Sequence, residues 1–236
     1  MRSSLRSRAS VLAAALLALS AFGAEGRAAS PQLPRTFPAA GELVARTTVV
    51  RATPGSHARQ IAVLRDLRSD FRPQIVLAHE LRADASGGLW YRIRIPGRPN
   101  GRTGWIRAAA ARLSPTVAGI VIRRGARTLE LYRHGKLELK TRVAVGARGM
   151  ETPLGTFYVT SRFRPRNSFL GEYALETSAY SKLSEWPGGG VVGIHGTSRP
   201  DLLGRAVSHG CVRVANAAAL VLKRLAPLGT PIQIVR

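Results

Sequence analysis

From Ala118 the chain reads AGIVIRRGARTLELYRHGKLELKTRVAVG, and apolar and polar residues alternate through most of it. A period of two sends successive side chains to opposite faces of a strand, so this stretch is confined to half-buried β-structure. Arg124-Gly125 and His134-Gly135 fall where hairpin turns are needed. ETPLGTFYVTSRF continues the pattern, VVGIHG returns to it, and GTPIQIVR supplies a last strand. Residues 164–190 lose the alternation and gain Pro, Gly, Ser and aromatic residues, which predicts a long loop or lid. One helix is expected through AAALVLKRLA, capped by Asn216 and ended by Pro227 and Gly229. The fold class is mostly β, with a single helix in the C-terminal region.

The first half is a separate β unit. Residues 42–113 hold about five short strands between turn residues, among them QIVLAHEL and the alternating LWYRIRI. Its WYRIRI…TGWI pattern resembles the bacterial SH3-like domain, which implies a small barrel. Residues 30–41 contain three prolines and read as a linker. Before them, Arg2, Arg6 and Arg8 precede the uncharged Val11–Ala24, the order of a secretory signal peptide over residues 1–29. Fourteen apolar residues are short for a membrane span of about 20, so a retained anchor is the lesser reading.

Charge and cysteine usage narrow the function. The formal charge is +23, and it remains +20 without Arg2, Arg6, Arg8, Arg27 and Glu25. Such a surface attracts polyanions, and an exported protein meets anionic wall polymers rather than nucleic acid. The arginines are dispersed along strands instead of clustering with aromatics, which argues further against a nucleic-acid groove. Cys211 is the only cysteine in 236 residues. Exported proteins usually pair their cysteines, so an odd one is an intermolecular bridge, an inert buried thiol or a reactive one.

A thiol reacts as its thiolate, and a nearby histidine can accept the proton to give a thiolate–imidazolium pair. His195, at the end of an apolar strand between Gly193 and Gly196, is the first candidate base, and His209 the second. The amides of Gly210 and Cys211 in a tight turn could hold an oxyanion. Arg213 could bind a carboxylate or favour the thiolate, and Ser208 could orient a neighbour. Each has a plainer reading as a small buried hydrophobe, a satisfied core histidine or a surface charge. Zinc on His195, His209 and Cys211 lacks a clear fourth ligand and paired-ligand spacing.

The string IHG at 194–196 and SHGCVR at 208–213, with fifteen residues between His195 and Cys211, resemble the signature of the L,D-transpeptidase (YkuD-type) family. TLELYRHGKLELKTRVAVG resembles that domain's opening strands, ETPLGTFYV its TP-x-G-x-F element and GTPIQIV its final strand, so the resemblance spans residues 117–236. It implies a mixed β-sandwich and an enzyme that remodels peptidoglycan stem peptides, forming 3→3 cross-links. Cys211 would be the nucleophile and His195 the base, oriented by a backbone carbonyl near Gly196. His209 and Ser208 would shape the site, Gly210 and Cys211 amides would hold the oxyanion, and Arg213 would have a structural or carboxylate-binding role. Tyr173 and Trp186 would line the lid. No metal or organic cofactor is implied; the protein would be a monomer exported to the cell envelope, with stem peptides as partners. The alternatives are a non-catalytic wall-binding protein and an exported cysteine L,D-carboxypeptidase.

Overall fold

The structure, a computed structural model, describes residues 33–185 and 188–236. The expected leader over 1–29 and the expected lid residue Trp186 lie outside the described residues.

The first sheet holds β1 (Ala39–Leu43), β2 (Thr47–Arg51), β3 (Gln60–Arg65), β4 (Ile75–Ala83), β5 (Leu89–Arg94), β6 (Thr103–Arg107) and β7 (Ala111–Pro115). Their order is β3-β2-β6-β5-β4-β1-β7. Alternate residues of these strands, including Val50, Val76, Tyr91, Ile93 and Ile106, point to one core. Leu64 of one edge strand and Leu113 of the other reach that same core, so the sheet curls around it. Leu33 and Phe37 pack there too, and Phe37 meets the Tyr91 ring edge-on at 6.3 Å. The stretch expected as a linker is thus built into the unit from residue 33. Its prolines disguised two apolar anchors. The ELVARTTVV run is divided between the end of β1 and most of β2.

The second half contains β8 (Ala118–Arg123), β9 (Thr128–Arg133), β10 (Lys136–Arg142), β11 (Val145–Gly146), β12 (Gly155–Phe163), β13 (Ala174–Tyr180), β14 (Val191–His195), β15 (Ala206–Ser208), β16 (Val212–Arg213), α1 (Asn216–Leu225) and β17 (Pro231–Val235). Eight of these form a mixed sheet in the order β10-β9-β8-β17-β12-β13-β14-β16, while β11 and β15 pair separately. The β9–β10 turn has φ +47° at His134 and +76° at Gly135, the left-handed pair that a two-residue hairpin requires. Ile120, Leu131, Val159, Leu175, Ile194 and Val212 share one core, which α1 covers with Ala219 and Leu222.

Two local expectations are corrected. The 164–190 segment is not one loop, because β13 runs through it between β12 and β14. Its alternation was masked because the inward-facing positions include Thr177 and Ala179, small or polar yet buried. Asn216 does not cap α1: the cap position is Ala215, with no side-chain cap bond, and Asn216 is the first helical residue. Its side chain serves the site described below.

The two sheets are bolted together. Tyr158 of β12 is buried against Ile75 and Leu77 of β4, and its hydroxyl donates to the Ile75 carbonyl at 3.1 Å. Arg68 pairs with Glu176 of β13 at 2.9 Å, and Arg72 Nη1 donates to Ser161 Oγ at 2.6 Å. A buried tyrosine with a satisfied hydroxyl and a half-buried ion pair resist hinge motion at this junction.

Candidate active site

Strand alternation assembles the site. β14 and β16 run parallel, with Ile194 opposite Val212 and His195 opposite Arg213. Val192, Ile194, Val212 and Val214 all enter the core, so Gly193, His195, Cys211 and Arg213 fall on the opposite face. There the Gly193 amide donates to Cys211 Sγ at 3.3 Å. A methyl group on Gly193 would lie 3.8 Å from His195 Cδ2 and 3.9 Å from Cys211 Sγ. The imidazole edge and the sulfur therefore flank one small space with a side-chain-free floor. Cys211 is a free thiol on a half-buried residue.

The turn carrying the thiol is tied at several points. Ser208 Oγ donates to the Cys211 carbonyl at 2.5 Å and accepts the Gly210 amide at 3.1 Å. The Gly210 amide, expected as an oxyanion donor, is thus already engaged. Gly210 has φ +118°, and a Cβ there would come 2.8 Å from Ser181 Cβ, so this position requires glycine. Thr152 Oγ1 donates to the Gly210 carbonyl at 2.8 Å and accepts the Gly146 amide at 2.9 Å. In sequence, Thr152 is one residue of the ETPLGTFYV element. The role of the hydroxyl shows only in three dimensions. His209 is half-buried between Ser208 and Gly210.

His195 Nδ1 lies 2.6 Å from the Gly196 carbonyl. A carbonyl can only accept, so Nδ1 carries the proton and the neutral ring keeps Nε2 as its basic nitrogen. A Cβ on Gly196 would sit 2.2 Å from Asn216 Oδ1, which leaves room for no side chain. That Asn216 oxygen accepts the amides of Thr197 at 3.0 Å and Glu172 at 3.2 Å, pinning the chain after His195 to the chain before β13. Phe169, in the short turn Ser168–Leu170, lies 6.4 Å from the His195 ring, with the Arg213 guanidinium 4.8 Å over its own ring. Asn216 and Phe169 were not anticipated as site residues.

Electrostatics set the protonation states. Burial pushes the Cys211 thiol up, opposed by the Gly193 amide and the Arg213 charge. Burial pushes His195 down; the Gly196 carbonyl opposes this, and Arg213 reinforces it. Both shifts run toward the neutral forms of the thiol and the imidazole. Desolvation outweighs the nearby favourable contacts.

The remaining candidates divide. Arg213 is buried beside the site, and its Nε has no hydrogen-bond partner among the described residues. Tyr173, expected to line the lid, packs partly buried against the core, with Lys223 Nζ 5.5 Å over its ring. Asp201, the acid between the two motifs, pairs with Arg199 at 2.8 Å on the exposed side. Among the described residues no three His, Cys, Asp or Glu side chains converge as a metal-binding group.

Residues 118–234 match the family profile described as the L,D-transpeptidase catalytic domain, YkuD. YkuD of Bacillus subtilis (strain 168), provisionally named an L,D-transpeptidase, is 34% identical over 117 residues, which are 50% of this chain and 65% of that protein. YqjB of the same organism, also provisionally named an L,D-transpeptidase, is 28% identical over 124 residues, 49% of this chain and 69% of that one. The chain thus spans about 65% of the length of the first of these relatives. A crystal structure of an L,D-transpeptidase from Mycobacterium tuberculosis H37Rv overlaps 69% of this chain and 90% of its own, with TM-score 0.47 at 13% identity. Residues 118–234 are a catalytic domain of the L,D-transpeptidase (YkuD) family.

Proposed function

We propose that this protein is a peptidoglycan L,D-transpeptidase that forms 3→3 cross-links between stem peptides through a cysteine acyl-enzyme. The observation that carries the reading is the shared space over Gly193, with the Cys211 sulfur and the His195 ring on its borders. Cys211 is the nucleophile. As sulfur adds to the carbonyl of the third stem residue, a diamino acid, its proton passes to His195 Nε2. The C–N bond to the terminal D-alanine then breaks, His195 returns the proton to the leaving amine, and a thioester remains. An amine of a second stem attacks that thioester, and its proton travels through His195 back to the sulfur. We assign the Cys211 amide as an oxyanion donor, since Ser208 holds that of Gly210. Thiol, imidazole and amide together supply the nucleophile, base and oxyanion stabilisation that acyl transfer needs. A positioned base contributes about 10²–10⁴-fold, and this is the loss expected for His195→Ala.

The basic residues ahead of Val11–Ala24 support delivery to the cell envelope, where stem peptides lie. The test is to mix the purified protein with defined tetrapeptide muropeptides and read the products by mass. A cross-linked dimer is expected, and Cys211→Ala should give none. A shortened monomer as the sole product would instead make the protein a carboxypeptidase. Unchanged substrate, together with no mass gain at Cys211 after carbapenem treatment, would leave only wall binding.

A further inference from the structure

A cleft of about 820 Å³ opens where the two sheets meet, and its lining is shared between them. The first unit contributes Arg98 and Asn100 from the loop joining β5 to β6; the catalytic domain contributes Arg124, Glu151, Tyr180 and Lys182. The loop is anchored firmly. Arg98 donates to the carbonyls of Ser181 at 2.6 Å and Gly189 at 3.0 Å, and its guanidinium lies 5.0 Å over the Tyr180 ring. Asn100 bonds both the amide and the carbonyl of Tyr180, at 3.0 and 2.7 Å.

One wall of the cleft adjoins the thiol turn. Ser181 lines it and stands against Gly210, where a Cβ would come 2.8 Å from Ser181 Cβ. Arg124 donates to the carbonyl of Thr152, whose hydroxyl holds the Gly210 carbonyl. Neither Gly210, Cys211 nor His195 lines the cleft, so its link to the thiol turn runs through Ser181 and through Arg124 and Thr152.

Its charge is unbalanced. Arg98 and Arg124 spend their hydrogen bonds on backbone carbonyls, which leaves their positive charges uncompensated. The one carboxylate, Glu151, is already taken by the Gly149 amide at 2.9 Å and Lys182 at 3.3 Å. Pro99, Pro153 and Leu154 add apolar surface between the charges. This volume is in the range of a ligand pocket, room for a few residues of peptide. Mixed apolar walls suit a peptide better than a repeating phosphate polymer, which needs charge alone.

We propose that this cleft is a subsite for a carboxylate-bearing peptide, completed by the first unit, which brings one of the two reacting peptides to Cys211 from the Gly210 side. The proposal rests on the transpeptidase reading, and binding separates the two. The full chain carrying Cys211→Ala is titrated into a fluorescently labelled acidic tetrapeptide and its carboxamide analogue, with anisotropy as the readout. The acid should bind about fivefold more tightly than the amide. Adding Lys182→Ala or Arg98→Ala should remove that preference. Lys182 is exposed, so its variant keeps the fold even if the Arg98 variant does not. Equal affinity for acid and amide, or a preference that survives Lys182→Ala, overturns the subsite. So does displacement of the peptide by poly(glycerol phosphate) at lower concentration than by unlabelled peptide. Carbapenem acylation of the wild-type chain, read by mass, is the independent arm. Acylation without an acid preference defeats the subsite alone, whereas an acid preference without acylation defeats the reaction and keeps the subsite.

Discussion

Thr152 Oγ1 donates to the Gly210 carbonyl at 2.8 Å, joining the segment before β12 to the turn before the thiol across 58 residues of sequence. The same oxygen accepts the Gly146 amide, so one fully buried hydroxyl satisfies a donor and an acceptor at once. Thr152→Val keeps the shape and removes both bonds. Each buried group left unpaired costs about 1–3 kcal/mol, so thermal unfolding should move down by several degrees. With the Gly210 peptide free to rotate, the turn loses its set, and acylation should slow by about tenfold or more. A Thr152→Val protein that unfolds early but acylates at the wild-type rate would show that the hydroxyl serves stability alone.

Asn216 acts on the other half of the site. Its Oδ1 holds the amides of Thr197 and Glu172, and so fixes the Gly196 carbonyl that orients His195. Asn216→Ala should lower kcat by about tenfold with KM little changed, because the loss is in base alignment rather than in peptide binding. Asn216→Asp retains an acceptor oxygen in the same place and should recover most of the rate. Equal kcat losses in both variants would count against the positioning role.

The buried pair predicts a pH profile. His195 must be neutral to take the thiol proton, and burial holds it below its ordinary 6.5. The acid limb of kcat/KM should therefore fall with a midpoint below 6.5. Because Cys211 is held above its ordinary 9.0, its alkylation by iodoacetamide should keep rising through neutral pH, with no plateau near pH 7. Stability follows the same sign. The unfolded chain binds a proton on this histidine before the folded one does, so stability contributed above 6.5 is lost as the pH falls. A flat alkylation rate between about pH 6 and 8 would restore the thiolate–imidazolium pair and remove this account.

How much of this was legible depended on whether partners lay close along the chain. The His134-Gly135 turn, the strand ending at His195 and the final strand follow from local chemistry, and each appears where alternation and turn residues placed it. The signals that failed were local readings of residues with distant commitments. Asn216 has the chemistry of a helix cap, yet its acceptor is used by amides 19 and 44 residues away. Gly210 looked like a free donor, but a serine two residues earlier occupies its amide. Phe37 sat among prolines and belonged to a core that draws on all seven strands of the first sheet. Phe169 carried no pattern at all; only the folded chain sets it over His195 and Arg213.

Gly193 offers the sharpest separation of folding from function. Its backbone is not in the left-handed region, and an added methyl would meet Leu175 O, His195 Cδ2 and Cys211 Sγ at 3.5–3.9 Å, ordinary contact distances. Alanine therefore fits. Replacing a strand glycine also reduces the freedom of the unfolded chain, worth about 0.4–1 kcal/mol where the conformation is compatible. Gly193→Ala should accordingly unfold at the same temperature as the wild type or slightly higher. Yet the methyl occupies the space between imidazole and sulfur, where a carbonyl carbon must come within bonding approach of the thiol while the ring takes its proton. Acylation by stem peptide should fall by at least about 100-fold, an effect on the scale of losing the positioned base. Stability and activity then move in opposite directions for a single methyl group. Wild-type acylation in a fully folded Gly193→Ala protein would mean that the reacting carbonyl never enters that space, and the roles given to Cys211 and His195 would have to be redrawn.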